Sequence, residues 1–322
     1  KQVSDDGTVT GGPVYYIRGA FKGTFGKVLA AIFAVLIIFA LGFMGNAVQS
    51  NSIAASWNTA FGIPKIAMGI FVAVVSLFVF TGGMKRIAKV TELIVPIMAA
   101  FYIVGSLIVI FANVTAIPAA FHDIIVGAFK PAAVAGGAMG ATLKLAVQKG
   151  VARGLFSNEA GMGSAPNTAA TASPYPPHPA SQGYVQMMGV FIDTIVICTC
   201  TAAIILLSNQ YVPGNELTGI KLTQAALSEH IGNAGNIFIA FAVFFFAFTS
   251  IVANYAYAEN NLVFLEHNHP ARLAIFRLCV LGMVMFGAVA ELPLVWTLAD
   301  ISMAFMIVTN LIAIILMSGT AA

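Results

Sequence analysis

Of the 322 residues in this chain, 59% are hydrophobic and 8% are charged. Soluble domains carry roughly a quarter charged residues, so the composition excludes a water-soluble globular enzyme and identifies an all-α polytopic membrane protein. The net charge of +3 says little as a sum, because in membranes the placement of Lys and Arg matters more. Cys198, Cys200 and Cys279 all lie in apolar stretches, which indicates packing rather than a disulfide framework or metal cluster. The chain starts at Lys1 with neither methionine nor an apolar leader, so it reads as part of a longer polypeptide.

Apolar runs of about 20 residues predict spanning helices. In chain order they fall at 27–60, 66–83, 90–113, 131–156, 183–208, 233–262, 272–290 and 294–318, all within one transmembrane domain covering 1–322. The first and sixth exceed a bilayer crossing and must tilt or overhang. Lys1, Arg18, Lys22, Lys27, Lys85, Arg86, Lys89, Arg272 and Arg277 collect on one side, against Lys65, Lys130 and Lys221 on the other. The positive-inside rule then makes the N-terminal end of the chain cytoplasmic. In the fourth run, Gly136, Gly137 and Gly140 weaken helical continuity and predict a break. Unwound backbone of this kind can hold an ion or substrate at the midplane; close packing of helices through small residues is the other reading.

Three polar blocks interrupt the apolar pattern: GGPVYYI at 11–17, GNAVQSN at 45–51 and GVARGLFSNEAGMGSAP at 150–166. Together they resemble the sodium:alanine (glycine) symporter family, the amino acid carrier proteins of the amino acid, polyamine and organocation superfamily. The resemblance covers nearly the whole chain. It implies a LeuT-like inverted-repeat transporter core of ten helices, of which the eight runs here correspond to the third through tenth, the first two being absent from this chain. In the family, the first core helix supplies half of the substrate and sodium site.

Asn46, Gln49 and Ser50 share a helical face by their spacing. The resemblance assigns Gln49 to the substrate and makes Asn46 a candidate; a polar clamp between helices, at roughly 0.6–2 kcal/mol, is the alternative for both. It also places Met139 and Leu143 as apolar lining of the substrate pocket, where the residue types alone indicate only core. Thr249 and Ser250, two hydroxyls at the middle of the sixth run, match the sodium site of the superfamily: hard oxygen donors suit sodium, although such hydroxyls also bond back to their own helix. Asn254 stands where the alanine carriers carry Trp. A short amide in place of an indole widens the pocket and offers donor and acceptor, which suits glutamine as an alternative substrate.

Arg153, Ser157, Asn158, Glu159 and Gly161 form the diagnostic block at the expected inner face, where gating is one role and an ordinary charged loop the other. A Glu159–Arg153 pair across the turn is expected. Asp193, Asp300 and Glu259 are costly in a bilayer and need partners; ion pathways and structural hydrogen bonds are both open for them. The block lacks the Gly-Lys-Ser/Thr ending of a phosphate loop and a Gly-x-Ser-x-Gly nucleophile elbow.

The expected function is a sodium-coupled symporter that imports a small neutral amino acid, alanine or glycine, across a prokaryotic plasma membrane by alternating access. Sodium is the coupling ion and no prosthetic cofactor or nucleic-acid partner is implied. Glutamine as main substrate, or proton coupling on the same fold, are the alternatives. A channel would show unsaturable, uncoupled flux. A hydrolase would need a Ser/His or paired-Asp constellation at depth, and no histidine falls within a predicted spanning helix.

Overall fold

A computed structural model describes residues 2–3, 9–122, 139–212, 217–266 and 269–321. Among these the chain is almost wholly helical, apart from a two-residue antiparallel ribbon pairing Gln2 with Thr10 and Val3 with Val9. Six helical spans are long and apolar enough to cross a membrane: Thr24–Phe61, Arg86–Ala112, Pro179–Leu206, Asn233–Leu265, Pro270–Val289 and Leu292–Gly319. A seventh apolar helix, Lys65–Thr81, is shorter. Their outward faces carry large apolar side chains such as Phe78 (67% exposed), Leu93 (67%) and Phe111 (68%). Such a surface needs hydrocarbon as its solvent.

Helix α1 (Pro13–Ala20) is a short element that the search for apolar runs passes over. It follows Gly12, whose φ of 120° demands glycine, and whose absent Cβ makes room for Asn167. The first span is α2 (Thr24–Ile37), a π-helical segment (Ile38–Gly45) and α3 (Asn46–Phe61). Within that π segment the Asn46 amide N–H reaches back to Leu41 O. The wider turn suits its small residues, Gly42 and Gly45, which press against Ala258 and Asn254. Helices α4 (Lys65–Thr81) and α5 (Gly83–Ala112) follow.

The expected break at Gly136–Gly137 lies outside the described residues; α6 begins at Met139, includes Gly140, and runs to Asn158. After the short α7 (Ala165–Ala169), the next span is α8 (Pro179–Phe191), a second π segment (Ile192–Ile197) and α9 (Cys198–Leu206). Helix α10 (Ile220–Ile231) is amphipathic and precedes the 34-residue α11 (Asn233–Glu266). Helices α12 (Pro270–Val289) and α13 (Leu292–Ala321) complete the chain.

The centre of the molecule is the packing of α3 against α11 and α12. Trp57 Nε1 donates to Ala240 O on α11 (3.1 Å), and Asn51 Nδ2 donates to Gly287 O (2.9 Å) and Ala290 O (2.8 Å) at the end of α12. Polar side chains bonded to a neighbouring helix's carbonyls are the ordinary fastening between helices in lipid, where apolar burial offers no driving force. Tyr255 stacks on Phe80 with centroids 3.8 Å apart and accepts a hydrogen bond from Arg277 Nε (2.8 Å). Arg277 also pairs with Glu259 (3.1 Å), so that carboxylate has its partner on the adjacent helix.

Candidate functional site

Where α3 and α11 pass the end of α6, they leave a cavity of about 240 Å³. Its apolar wall is Leu41, Phe156 and Met162; its polar wall is Gln49, Ser157, Glu159, Ser250 and Asn254. Larger clefts of about 500 and 650 Å³ flank α7 but are lined mostly by Ala, Pro and Gly, with few convergent polar groups. Binding sites combine an apolar enclosure with a few placed polar groups, which favours the smaller cavity.

The fold aims each polar group for an identifiable reason. Gln49 is half-buried on α3 and lines the cavity. Asn254 is 5% exposed and sits against Gly45, where a Cβ would come within 3.0 Å of its Nδ2. Neither amide makes a side-chain hydrogen bond to another described residue. Asn46, by contrast, is fully buried, donates to Gly42 O (2.9 Å) and does not line the cavity.

The Thr249–Ser250 step divides between two surroundings. Ser250 lines the cavity while its hydroxyl donates to Phe246 O (3.0 Å). Thr249 is buried on the far side, donates to Phe245 O and Phe246 O (3.0 Å each), and lies 3.8 Å from Met98 Sδ on α5. Met139 and Leu143 fall on α6, and their side chains lie outside the described residues.

The signature block is a folded loop tied on several sides. Ser157 Oγ donates to Asp193 Oδ2 (2.5 Å) and Asn158 Nδ2 to Thr194 Oγ1 (3.1 Å), which fastens the end of α6 to the π segment after α8. Asn158 Oδ1 accepts from the Ala160 amide (2.9 Å), and Gly161 O accepts from Asn310 Nδ2 on α13 (2.8 Å). Tyr16 Oη in turn donates to Asn310 Oδ1, so the GGPVYYI block closes on the same loop. A second knot joins them: Asn260 Nδ2 donates to Gly11 O and Asn167 Oδ1 (2.7 Å each), and Asn261 Nδ2 to Asn167 Oδ1 (3.2 Å).

The expected Glu159–Arg153 pair does not form. Arg153 projects from α6 toward α13, where Nη2 meets Asp300 Oδ2 at 2.7 Å and the guanidinium lies 3.8 Å from the Trp296 ring centroid. Trp296 and Asp300 are one turn apart and so present a stacking face and an anion together. Glu159 sits beyond the helix end at φ 56°, which swings its side chain back toward the cavity. There Ser164 Oγ donates to Glu159 Oε2 (2.6 Å) and Tyr257 on α11 also bonds the carboxyl. Burial pushes the Glu159 carboxyl above its ordinary range, the hydrogen bonds from Ser164 and Tyr257 opposing the shift in part.

Sequence reasoning passed over Tyr257, Ser164, Asn167, Asn260, Asn261 and Asn310. For Tyr257, Asn260, Asn261 and Asn310 a signal was present, since polar residues within apolar helices are costly and need partners; Ser164 and Asn167 lie at the short helix α7, where that signal does not apply.

The cavity thus lies among membrane-crossing helices, with two amides and a carboxylate on its wall. The family model described as "Sodium:alanine symporter family" matches residues 1–322. An uncharacterized transporter of Haemophilus influenzae is 47% identical over 314 residues, covering 97% of this chain and 64% of that protein. The amino-acid carrier protein AlsT of Bacillus subtilis is 45% identical, covering 99% of this chain and 66% of its own length. The probable sodium/glutamine symporter GlnT of the same organism is also 45% identical, with 98% and 64% covered. This chain thus spans just under two thirds of the length of these relatives. With the match running from the first residue to the last, the chain belongs to the sodium:alanine symporter family.

Proposed function

We propose that the complete polypeptide is a sodium-coupled importer of a small neutral amino acid, and that the cavity between α3, α11 and the end of α6 is part of its transport site. The observation that carries this is the pair of amides, Gln49 and Asn254, facing one cavity without a hydrogen-bonding partner among the described residues. Each amide facing the cavity can offer both a donor and an acceptor to a zwitterion or its side chain. The volume of about 240 Å³ lies below the roughly 300–1,000 Å³ of sites for drug-sized ligands, as an amino acid requires. Sodium is assigned to the Thr249–Ser250 step, with Ser250 its member at the cavity. Access alternates as helices rock around this site in an inverted-repeat core, and the N-terminal end of this chain is cytoplasmic. Glutamine is the substrate favoured by Asn254, and the glutamine symporter named among the relatives supports that choice; alanine and glycine are the substrates favoured by the family as a whole.

The test is uptake of labelled alanine and glutamine into proteoliposomes holding the complete polypeptide, with and without an inward sodium gradient. Saturable, sodium-dependent accumulation is expected, and equal uptake in the absence of sodium would refute symport. Ser250→Ala removes one neutral oxygen, worth about 0.5–1.5 kcal/mol, so half-maximal uptake should need roughly 2- to 10-fold more sodium. Thr249→Ala, on the face toward Met98, should change it less. Equal effects of the two substitutions would count against Ser250 as the member at the cavity.

A further inference from the structure

A knot of neutral amides closes the molecule on one side of the cavity. Asn260 and Asn261 lie about 10 Å beyond Asn254 along α11, toward the end of that helix that meets the GGPVYYI block through Gly11. Both donate to one atom, Asn167 Oδ1, from 2.7 and 3.2 Å. Asn167 is carried by the five-residue α7 and is 4% exposed, and its own amide returns to Gly163 O (3.2 Å) and Ser164 O (2.9 Å). A single buried oxygen thus ties the signature loop to α11. The N-terminal block closes over it only because Gly12 lacks a Cβ, which would lie 2.4 Å from Asn167 Oδ1.

Three features suit this knot to opening. Its bonds run between neutral groups, so parting them strands no charge, and amides released to water are satisfied there. It is also incomplete when closed: Asn260 Oδ1 and Asn261 Oδ1 are buried with no hydrogen-bond partner among the described residues, and buried acceptors left unsatisfied weigh against the closed form. Finally, Gly161 and Gly163 lead the chain from the cavity to α7 at φ 81° and 87°, where glycine rotates without the steric limits of other residues.

We propose that Asn167 is the latch of a gate between the transport cavity and the side of the chain's N-terminal end, cytoplasmic in the orientation given above. Bonded to Asn260 and Asn261, it holds α7 and the signature loop across that side of the cavity; parted from them, it lets α7 swing and opens the cavity to the cytoplasm. Asn167 touches neither cargo nor ion and acts by setting the population of the closed form, which makes it a positioning residue. This rests on the cavity being the transport site.

Thiol labelling from each side of the membrane tests it. In the complete polypeptide, with Cys198, Cys200, Cys279 and any other native cysteine replaced by serine, Leu41→Cys puts a reporter on the cavity wall and off the moving loop. A charged, membrane-impermeant methanethiosulfonate is applied to right-side-out and to inside-out vesicles. Asn167→Ala removes two hydrogen bonds, each a factor of roughly 2 to 10 in the balance between closed and open forms. Labelling from the cytoplasmic side should therefore quicken roughly 4-fold or more, while labelling from outside stays level or slows. Gly12→Ala, which displaces Asn167 Oδ1 from a different element, should have the same one-sided effect. Cytoplasmic labelling unchanged in both variants would overturn the latch. So would faster labelling from both sides together with a lower melting temperature in detergent, which is the behaviour of a knot that only fastens the fold. One-sided labelling in a polypeptide that shows no sodium-driven uptake would keep the latch and refute symport, so the two readings fail separately.

Discussion

Gly287→Ala is expected to be strongly damaging. A Cβ at this position would lie 2.2 Å from Ala47 O and 2.4 Å from Ala47 Cα. Both are backbone atoms, so no rotamer can yield, and α12 must shift away from α3. That shift also pulls on the hydrogen bonds from Asn51 to Gly287 O and Ala290 O. Overpacking alone costs roughly 1–3 kcal/mol, with about 0.5–1.5 kcal/mol for each hydrogen bond lost. Against a typical total of about 5–15 kcal/mol this is a large fraction. The natural control is Gly282→Ala in the same helix, where a Cβ meets nothing within 4 Å; alanine there gains helix propensity without a clash. Melting in detergent should show Gly287→Ala well below wild type and Gly282→Ala at or above it. Uptake should fall with the former as well, because Ala47 is two residues from Gln49 and the displaced helix carries that amide with it. Equal melting of the two variants would show that the α3–α12 contact is looser than 2.2 Å implies.

The same contact shows what a sequence does and does not disclose. The all-helical, polytopic architecture was legible because apolar composition and the length of a bilayer crossing leave few alternatives. The two π segments, Ile38–Gly45 and Ile192–Ile197, were not, since periodicity does not separate a π turn from an α turn over so few residues. Gln49, Ser250 and Asn254 were nominated by resemblance and do line one cavity; whether they bind cargo is what the experiments decide. Asn46 was nominated by the same face, but it is fully buried and its amide donates back to Gly42 O of its own span, away from the cavity. The Arg153–Glu159 expectation failed as well. Pairing across a turn is read from separation in sequence, whereas a φ of 56° at Glu159 sends the two side chains to different neighbours. Asp300, 147 residues away, was the partner Arg153 took, and long-range pairing of this kind is set by helix packing alone.

Asn254→Trp is expected to convert substrate choice. The resemblance places a tryptophan at this position in the alanine carriers, and the structure shows where an indole would have to go. Gly45 closes the space behind Asn254, with no room for so much as a methyl group between them without contact at 3.0 Å, so added volume projects into the cavity. At about 240 Å³ that cavity cannot hold both an indole and a long amide side chain, whereas a methyl side chain asks for little. Glutamine uptake should therefore fall by at least tenfold relative to alanine, toward the upper part of the roughly 10- to 200-fold range that small differences in a pocket supply. Retained sodium-driven alanine uptake in the same proteoliposomes shows that the variant is folded. Asn254→Ala separates space from chemistry: it leaves the cavity open but removes the amide, so a preference for glutamine that rests on hydrogen bonding should decline by about 0.5–1.5 kcal/mol, roughly 2- to 10-fold. A glutamine-to-alanine ratio unchanged in both variants would remove residue 254 from substrate selection and leave Gln49 as the amide that reads the cargo.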